Sequence, residues 1–340
     1  MRPLVTVAVV LSVAAALVPA SAGSEARPVL HGPYLGQKPP GSSPEIFAAG
    51  IVSTGLYTRD IAITPDGKEI YFGVVLGANG LATVLVTREQ PGGWTEPEVA
   101  PFAADPAWSS IEPCLSTDGR RMLFVSNRRQ PGQDPQKENW DIWFVERRGV
   151  GWTEARNLGA PINTPAGEYF PSLTRDGTLY FTRDLPDGGN AIFRSRWKDN
   201  RYAEPERLPD AVNCGRTQFN AFVAPDESYL VASVFGRKDT LGSTDYYVVY
   251  RGADDIWSQP FNLGEAINTA KGEEYSPYVS PDGKYFFFMS PRKRSDLFAP
   301  GETLTWEKLR RLHELPGHGN PVIWWVEAGF LQALRPKAAQ

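Results

Sequence analysis

The 340-residue chain carries 35 Lys and Arg against 39 Asp and Glu, a net charge of −4. It has no basic stripe interleaved with aromatics, so nucleic acid is not an expected partner. Charged residues at 22%, aromatics at 12%, 32 Gly and 30 Pro describe a turn-rich globular protein rather than a disordered or fibrous one. The three histidines, His31, His313 and His318, lie outside the repeated part of the sequence, so no zinc cluster or Ser-His-Asp set is legible. Neither a Gly-x-Ser-x-Gly elbow nor a Gly-x-x-x-x-Gly-Lys phosphate loop occurs, and no catalytic residue or metal ligand is assigned.

The chain opens with one Arg, an apolar run from Leu4 to Val18 and the small residues Ala20-Ser21-Ala22 ahead of Gly23. That is the three-part layout of a secretory signal over 1–22, too short for a membrane span and without a Cys to take a lipid. The expected product is periplasmic or secreted, with no membrane span after cleavage. Residues 23–42 are rich in Pro, Gly and Ser without periodicity and read as a flexible leader. Cys114 and Cys214 fall in different repeats and are expected as two free thiols.

From residue 43 to 340 one domain is expected, built on a repeated turn. Five copies of a Pro-Asp-Gly-like turn place Asp at 66, 118, 176, 226 and 282, in steps of 52, 58, 50 and 56 residues. Each turn joins an apolar alternation to a short aromatic-rich run, the pattern of a tight β-hairpin. The fourth copy has Glu227 where the others have Gly, which leaves open a different turn type. A third strand follows each hairpin: 81–88, 141–148, 190–197, 245–252 and 321–328. A fourth follows four of them at 93–100, 151–159, 201–208 and 256–264, three of these with a Pro suited to a sheet edge.

Four-stranded units repeated in series are the blades of a β-propeller. The count leaves one fourth strand short, and the segment 43–50, SPEIFAAG, resembles the others. The expected fold is therefore an all-β, five-bladed propeller whose N-terminal strand completes the last blade. A helical insertion near 297–320 is expected between the second and third strands of that blade, with Thr303 as its cap.

The five hairpins, the doublet NLGAPINTPAGEYFP and NLGEAINTAKGEEYSP, and the ending GNPVIWWVEAGFLQALRPK resemble stand-alone bacterial envelope proteins of TolB-like, WD40-like propeller repeats. The resemblance covers about 44–337. It implies a cell-envelope setting and leaves a six-bladed TolB-like ring as the alternative to five blades.

Counting back eight and six residues from each turn Asp gives two positions per inner strand on one side of an unbroken strand. The positions are Thr58 and Asp60, Ser110 and Glu112, Glu168 and Phe170, Gln218 and Asn220, and Glu274 and Ser276, so four of the five blades are predicted to put a carboxylate near the channel mouth on the face where the inner strands begin, and the other contributes amides. Arg128, Arg183, Arg237 and Arg292, at the ends of the second strands, share that face. Two readings follow: a polar ligand site, with Asp60, Glu112, Glu168, Gln218, Asn220, Glu274, Arg128 and Arg292 as its residues, or a ring of blade-by-blade ion pairs. Asn163-Thr164 and Asn268-Thr269 recur and read as loop-fixing pairs.

The functional expectation is a binding or interaction module, monomeric, taking a small-molecule or glycan ligand or an envelope protein. A carbohydrate-active enzyme using the channel carboxylates is the alternative. No cofactor is expected. If the carboxylates converge without enough Arg, Ca²⁺ is the cation they would favour.

Overall fold

A computed structural model describes residues 30–77, 80–130, 132, 139–270 and 272–336; the expected signal segment 1–22 lies outside the described residues. Five antiparallel blade sheets follow one another along the chain, with one separate two-stranded pairing of Trp197–Lys198 and Arg201–Tyr202. The first three strands of each blade are Tyr57–Ile63, Glu69–Val75 and Ala82–Gln90; Ser110–Leu115, Arg121–Ser126 and Asp141–Arg148; Glu168–Leu173, Leu179–Asp184 and Asn190–Ser195; Thr217–Val223, Tyr229–Phe235 and Thr244–Tyr250; Tyr275–Val279, Tyr285–Ser290 and Val322–Glu327.

Outer strands are two-residue pairings, Glu98–Val99, Arg156–Asn157, Glu206–Arg207 and Phe261–Asn262, shorter than the sequence suggested. Pro97, Pro205 and Pro260 each stand just ahead of one, where a missing N–H ends the ladder. The fifth outer strand is Glu45–Ile46, which pairs antiparallel with Val322–Glu327, Glu45 opposite Trp325 and Ile46 opposite Trp324. The Phe47 N–H extends the pairing by donating to the Ile323 carbonyl at 2.9 Å. The ring thus has five blades and is closed by the N-terminal strand, as its sequence predicts.

Alternation along the second and third strands explains how blades cohere. Phe286 and Phe288 pack toward blade 4 with Tyr246, Phe222 and Trp324, while Phe287 between them packs toward blade 1 with Phe47, Phe72 and Trp325. Five such apolar clusters occupy the five seams, so the core of the molecule is a ring of sandwiches rather than one centre.

Each hairpin is built the same way. The carboxylates of Asp66, Asp118, Asp176, Asp226 and Asp282 each accept the backbone N–H two residues on. Gly67, Gly119, Gly177 and Gly283 take positive φ. Glu227 keeps that same conformation at φ 60°, so the fourth turn differs in residue and not in type. Its carboxylate is buried and held by the Tyr180 hydroxyl and the Arg251 guanidinium, both at 2.7 Å, which offsets the strain of a left-handed non-glycine.

The insertion carries a helix, Trp306–Glu314, capped by Thr305 rather than Thr303: the Lys308 N–H donates to its hydroxyl at 3.2 Å. Residues 30–42 depart from a flexible leader. Leu35 is buried, Tyr34 packs on Tyr285, Phe287 and Trp325, and the Trp94 indole donates to the Gly32 carbonyl at 2.8 Å. An aromatic seam at the ring closure gives this segment apolar surface to cover. Cys114 and Cys214 are both free. Among the described residues no helix is long and apolar enough to cross a membrane.

Candidate functional site

Every inner strand breaks its pairing at the same place: between Arg59 and Ile61, Ile111 and Cys114, Tyr169 and Ser172, Phe219 and Phe222, and Tyr275 and Tyr278. At each break one residue adopts left-handed φ: Asp60 at 53°, Glu112 at 57°, Phe170 at 46°, Asn220 at 48° and Ser276 at 65°. These are β-bulges, which re-aim a side chain out of the alternation. Five bulges around a five-fold ring turn five side chains toward the axis.

The axial set forms one connected network. Arg59 lies 2.7 Å from Asp60 through Nε and 2.7 Å from Glu112 through a terminal nitrogen, with its guanidinium 4.6 Å from the Tyr275 ring centre. Glu112 also accepts the Phe170 N–H at 2.6 Å. The Ser276 hydroxyl donates to Asp60, and the Asn220 amide reaches Ser276 at 3.4 Å and Glu112 at 3.5 Å. Asp60, Glu112, Asn220 and Ser276 are all buried. Burial pushes the Glu112 carboxyl up, with Arg59 opposing and Asp60 adding to the rise. Burial would lower Arg59, but the two carboxylates outweigh it and hold the guanidinium charged.

The bulge also separates the two positions that an unbroken strand would align. Glu168, Gln218 and Glu274 turn into the loops between blades instead of the channel mouth. Glu168 accepts from Thr164 N–H and hydroxyl and from Arg183, at 3.0, 2.7 and 2.9 Å. Gln218 donates to the Asn190 carbonyl at 2.6 Å and accepts the Gly215 N–H. Glu274 accepts from Thr269 and Ser290 through one oxygen, while its other oxygen has no hydrogen bond. Burial pushes the Glu168 and Glu274 carboxyls up to about 7.

The four arginines are latches within the fold. Arg128, Arg183, Arg237 and Arg292 donate to the backbone carbonyls of Phe102, Ile162, Cys214 and Ile267 in the connection before each blade. Each guanidinium also lies over an aromatic of the third strand: Trp143, Phe193, Tyr247 or Trp324. Asn163 and Asn268 fix their loops as expected, bonding both backbone groups of Ile142 and of Tyr246. Of the eight proposed site residues, the structure therefore brings Asp60, Glu112 and Asn220 together at the axis and places Glu168, Gln218, Glu274, Arg128 and Arg292 in structural ties. Phe170 and Ser276, at the same counted position in their strands, join them there, and Arg59, which the counting does not single out, completes the axial set. The adjacent Arg59-Asp60 pair in the sequence was the available signal for Arg59.

The network divides the channel into two cups. On the hairpin side a cavity of about 260 Å³ has Asp60, Glu112, Phe170 and Ser276 as its floor. Ile63, Pro113, Pro171, Phe222, Pro277 and Tyr278 wall it, and Thr117 and Arg175 stand at its rim. On the opposite side a cup of about 360 Å³ is lined by Arg59, Tyr169, Phe219, Asn220 and Tyr275. Among the described residues no group of three or more His, Cys, Asp or Glu is arranged to hold a metal ion.

No family model matches the chain, and no curated protein is similar to it in sequence. Solved structures do resemble it. TolB from Acinetobacter baumannii aligns over 80% of this chain and 57% of its own length, at 14% identity and TM-score 0.46. A putative TolB from Agrobacterium tumefaciens aligns over 80% of this chain and 90% of its own, at 15% identity and TM-score 0.46. A protein described as a glycoside hydrolase aligns over 88% of this chain and 94% of its own, at 11% identity and TM-score 0.53. At such identities the likeness speaks to fold. By its own sheet order the chain is a five-bladed β-propeller, and its fold is similar to that of the protein described as a glycoside hydrolase.

Proposed function

We propose that this chain is an exported β-propeller binding module of the periplasm or the extracellular space, and that its ligand enters the hairpin-side cup. The observation that carries the reading is the cup itself: proline-rich apolar walls over a buried polar floor. A compact apolar body with one polar end fits that combination, as in most small-molecule sites, where a few placed polar groups orient a ligand held by apolar contact. This moves the expected site to the other face of the disc, because the bulges withdraw Glu168 and Glu274 from the mouth where the inner strands begin.

A carbohydrate-active enzyme is the second reading, favoured by the upward-shifted Glu112 beside Asp60. Against it, one guanidinium bridges both carboxylates, and hydrolysis needs an acid and a base free to exchange protons with the substrate.

The test is a thermal-shift screen of small polar-tailed aromatics, amines and sugars on wild type and on Thr117→Trp, which caps the cup at an exposed rim position. Compounds that raise the melting temperature of wild type alone support the reading. Equal shifts in both proteins, or none in either, defeat it. Turnover of any glycoside that is lost in Glu112→Gln would establish the enzyme instead.

A further inference from the structure

The hairpin-side cup is rich in hydrogen-bond acceptors and poor in donors. The donors at its floor are committed: the Ser276 hydroxyl to Asp60, the Phe170 N–H to Glu112 at 2.6 Å, and the Asn220 amide behind them to Ser276 and Glu112. Pro113, Pro171 and Pro277 directly follow the bulge residues of three blades, so the wall just above the floor has no N–H at those positions. The Tyr278 hydroxyl is held between the N–H and carbonyl of Ile63, at 3.1 and 3.4 Å, and Ser116 and Ser280 donate to Asp118 and Asp282. The Ser172 hydroxyl, which accepts the Val223 N–H at 3.0 Å, is the one below the rim whose hydrogen is uncommitted among the described residues.

Charge points the same way. Asp60, Glu112 and Arg175 are the charged residues lining the cup. Arg175 is exposed at the rim, five positions along its strand from Phe170, which at about 3.3 Å per residue is roughly 15 Å from the floor and too far to neutralise a group there. Arg59 reaches the floor from the opposite cup and lies 2.7 Å from each carboxylate. Two buried acids against one guanidinium leave the floor one positive charge short. Asp60 Oδ2, beside the Arg59 Nε, makes no hydrogen bond among the described residues. Burial raises the Glu112 carboxyl, with Arg59 opposing and Asp60 adding to the rise, so a proton is held more firmly where a second cation is lacking.

We infer that the ligand of this cup is a small organic monocation, a primary ammonium on an apolar body, seated with its N–H groups on the Asp60 and Glu112 carboxylates and its body between the prolines. The inference deepens the binding-module reading and rests on the hairpin-side cup being the site. An ammonium supplies three donors and the missing charge together. A carboxylate or phosphate would meet two acids at the floor, with the Ser172 hydroxyl as its donor. A sugar, polar all round, would leave most of its hydroxyls unpaired against Pro113, Pro171, Phe222 and Pro277. A metal ion would find no set of three or more His, Cys, Asp or Glu among the described residues. In size, an apolar cavity of about 150 Å³ holds benzene, so about 260 Å³ holds one ring with a short tail.

The experiment is isothermal titration calorimetry with three compounds of similar shape, phenethylamine, phenethyl alcohol and hydrocinnamate, on wild type, Thr117→Trp and Glu112→Gln. On wild type the amine should bind about tenfold more tightly than the alcohol, and the carboxylate should not bind. Thr117→Trp should abolish binding of amine and alcohol alike. Glu112→Gln should bring amine and alcohol to within about threefold of each other by weakening the amine alone. If that variant does not fold, the order of the three compounds on wild type decides. Alcohol or carboxylate binding as tightly as the amine, and lost in Thr117→Trp, overturns the ammonium inference while the cup stands as the site. An amine preference undiminished in Glu112→Gln overturns it too, since the charge would then come from elsewhere. No binding of any of the three overturns the inference, and binding that Thr117→Trp leaves untouched overturns the cup with it.

Discussion

At the axis a single guanidinium serves two buried carboxylates, and the balance around Arg59 is the most delicate feature of the chain. Removing it strands Asp60 and Glu112 in a site with little water. Arg59→Met should therefore cost about 3–5 kcal/mol, read by urea unfolding at pH 7.5. Adding Asp60→Asn and Glu112→Gln to that variant should recover most of the loss, because no unpaired charge then remains; failure to recover would mean that Arg59 acts through its packing on Tyr275. Glu168 and Glu274 give the protein a second electrostatic signature. Burial holds their folded pKa values at about 7, above the ordinary glutamate value of 4.5. Between those limits the folded state holds more protons than the unfolded state, so stability falls as pH rises from about 5 to 7.5. The turn aspartates are shifted the opposite way and lose their contribution only as pH falls below the ordinary carboxylate range. The melting temperature should thus be highest near pH 5 and lower by about 2–5 °C at pH 7.5. Glu274→Gln should flatten this slope, since blade 4 already uses Gln218 at the same place. A melting temperature that rises toward pH 7.5 would contradict the assignment.

At the scale of the element, the N-terminal strand bears the most weight for its size. Phe47 is fully buried, with ring centres 5.0 Å from Phe287 and 5.2 Å from Trp325. Phe47→Ala should cost about 3–5 kcal/mol. Deletion of 43–50 should leave the edge of Val322–Glu327 open and produce aggregation, visible by light scattering at temperatures where wild type stays clear. An unchanged, monomeric deletion variant would refute the closure. This strand was readable from the sequence because SPEIFAAG repeats the spacing of Pro and apolar residues in the other outer strands, and the hairpins were readable because turn chemistry is local. The bulges were not. A one-residue slip leaves no mark in an alternating pattern: Arg59-Asp60-Ile61 reads like any strand, yet the slip decides that Glu112 faces the channel while Glu168 does not. The helix cap likewise turned on a choice between Thr303 and Thr305, which only the Lys308 N–H resolves. The docking of Tyr34 was hidden because its partners, Tyr285, Phe287 and Trp325, stand at the far end of the chain.

For the whole molecule, the closed ring gives the central channel two ends, separated midway by the axial network. Four converging carboxylates would have favoured a divalent cation, but only Asp60 and Glu112 reach the axis, and Arg59 lies between them. Melts in millimolar calcium and then in chelator should superimpose. A calcium-dependent rise lost in Glu112→Gln would reveal a cation site and refute that expectation. The central claim is that the hairpin-side cup is where this propeller binds. A crystallographic fragment screen tests it most directly. The account predicts fragments concentrated in that cup, with polar ends on Ser276 or Glu112 and apolar parts against Pro113, Pro171 and Pro277. Fragments gathered in the opposite mouth around Tyr169 and Tyr275, with the hairpin-side cup empty across the screen, would contradict it.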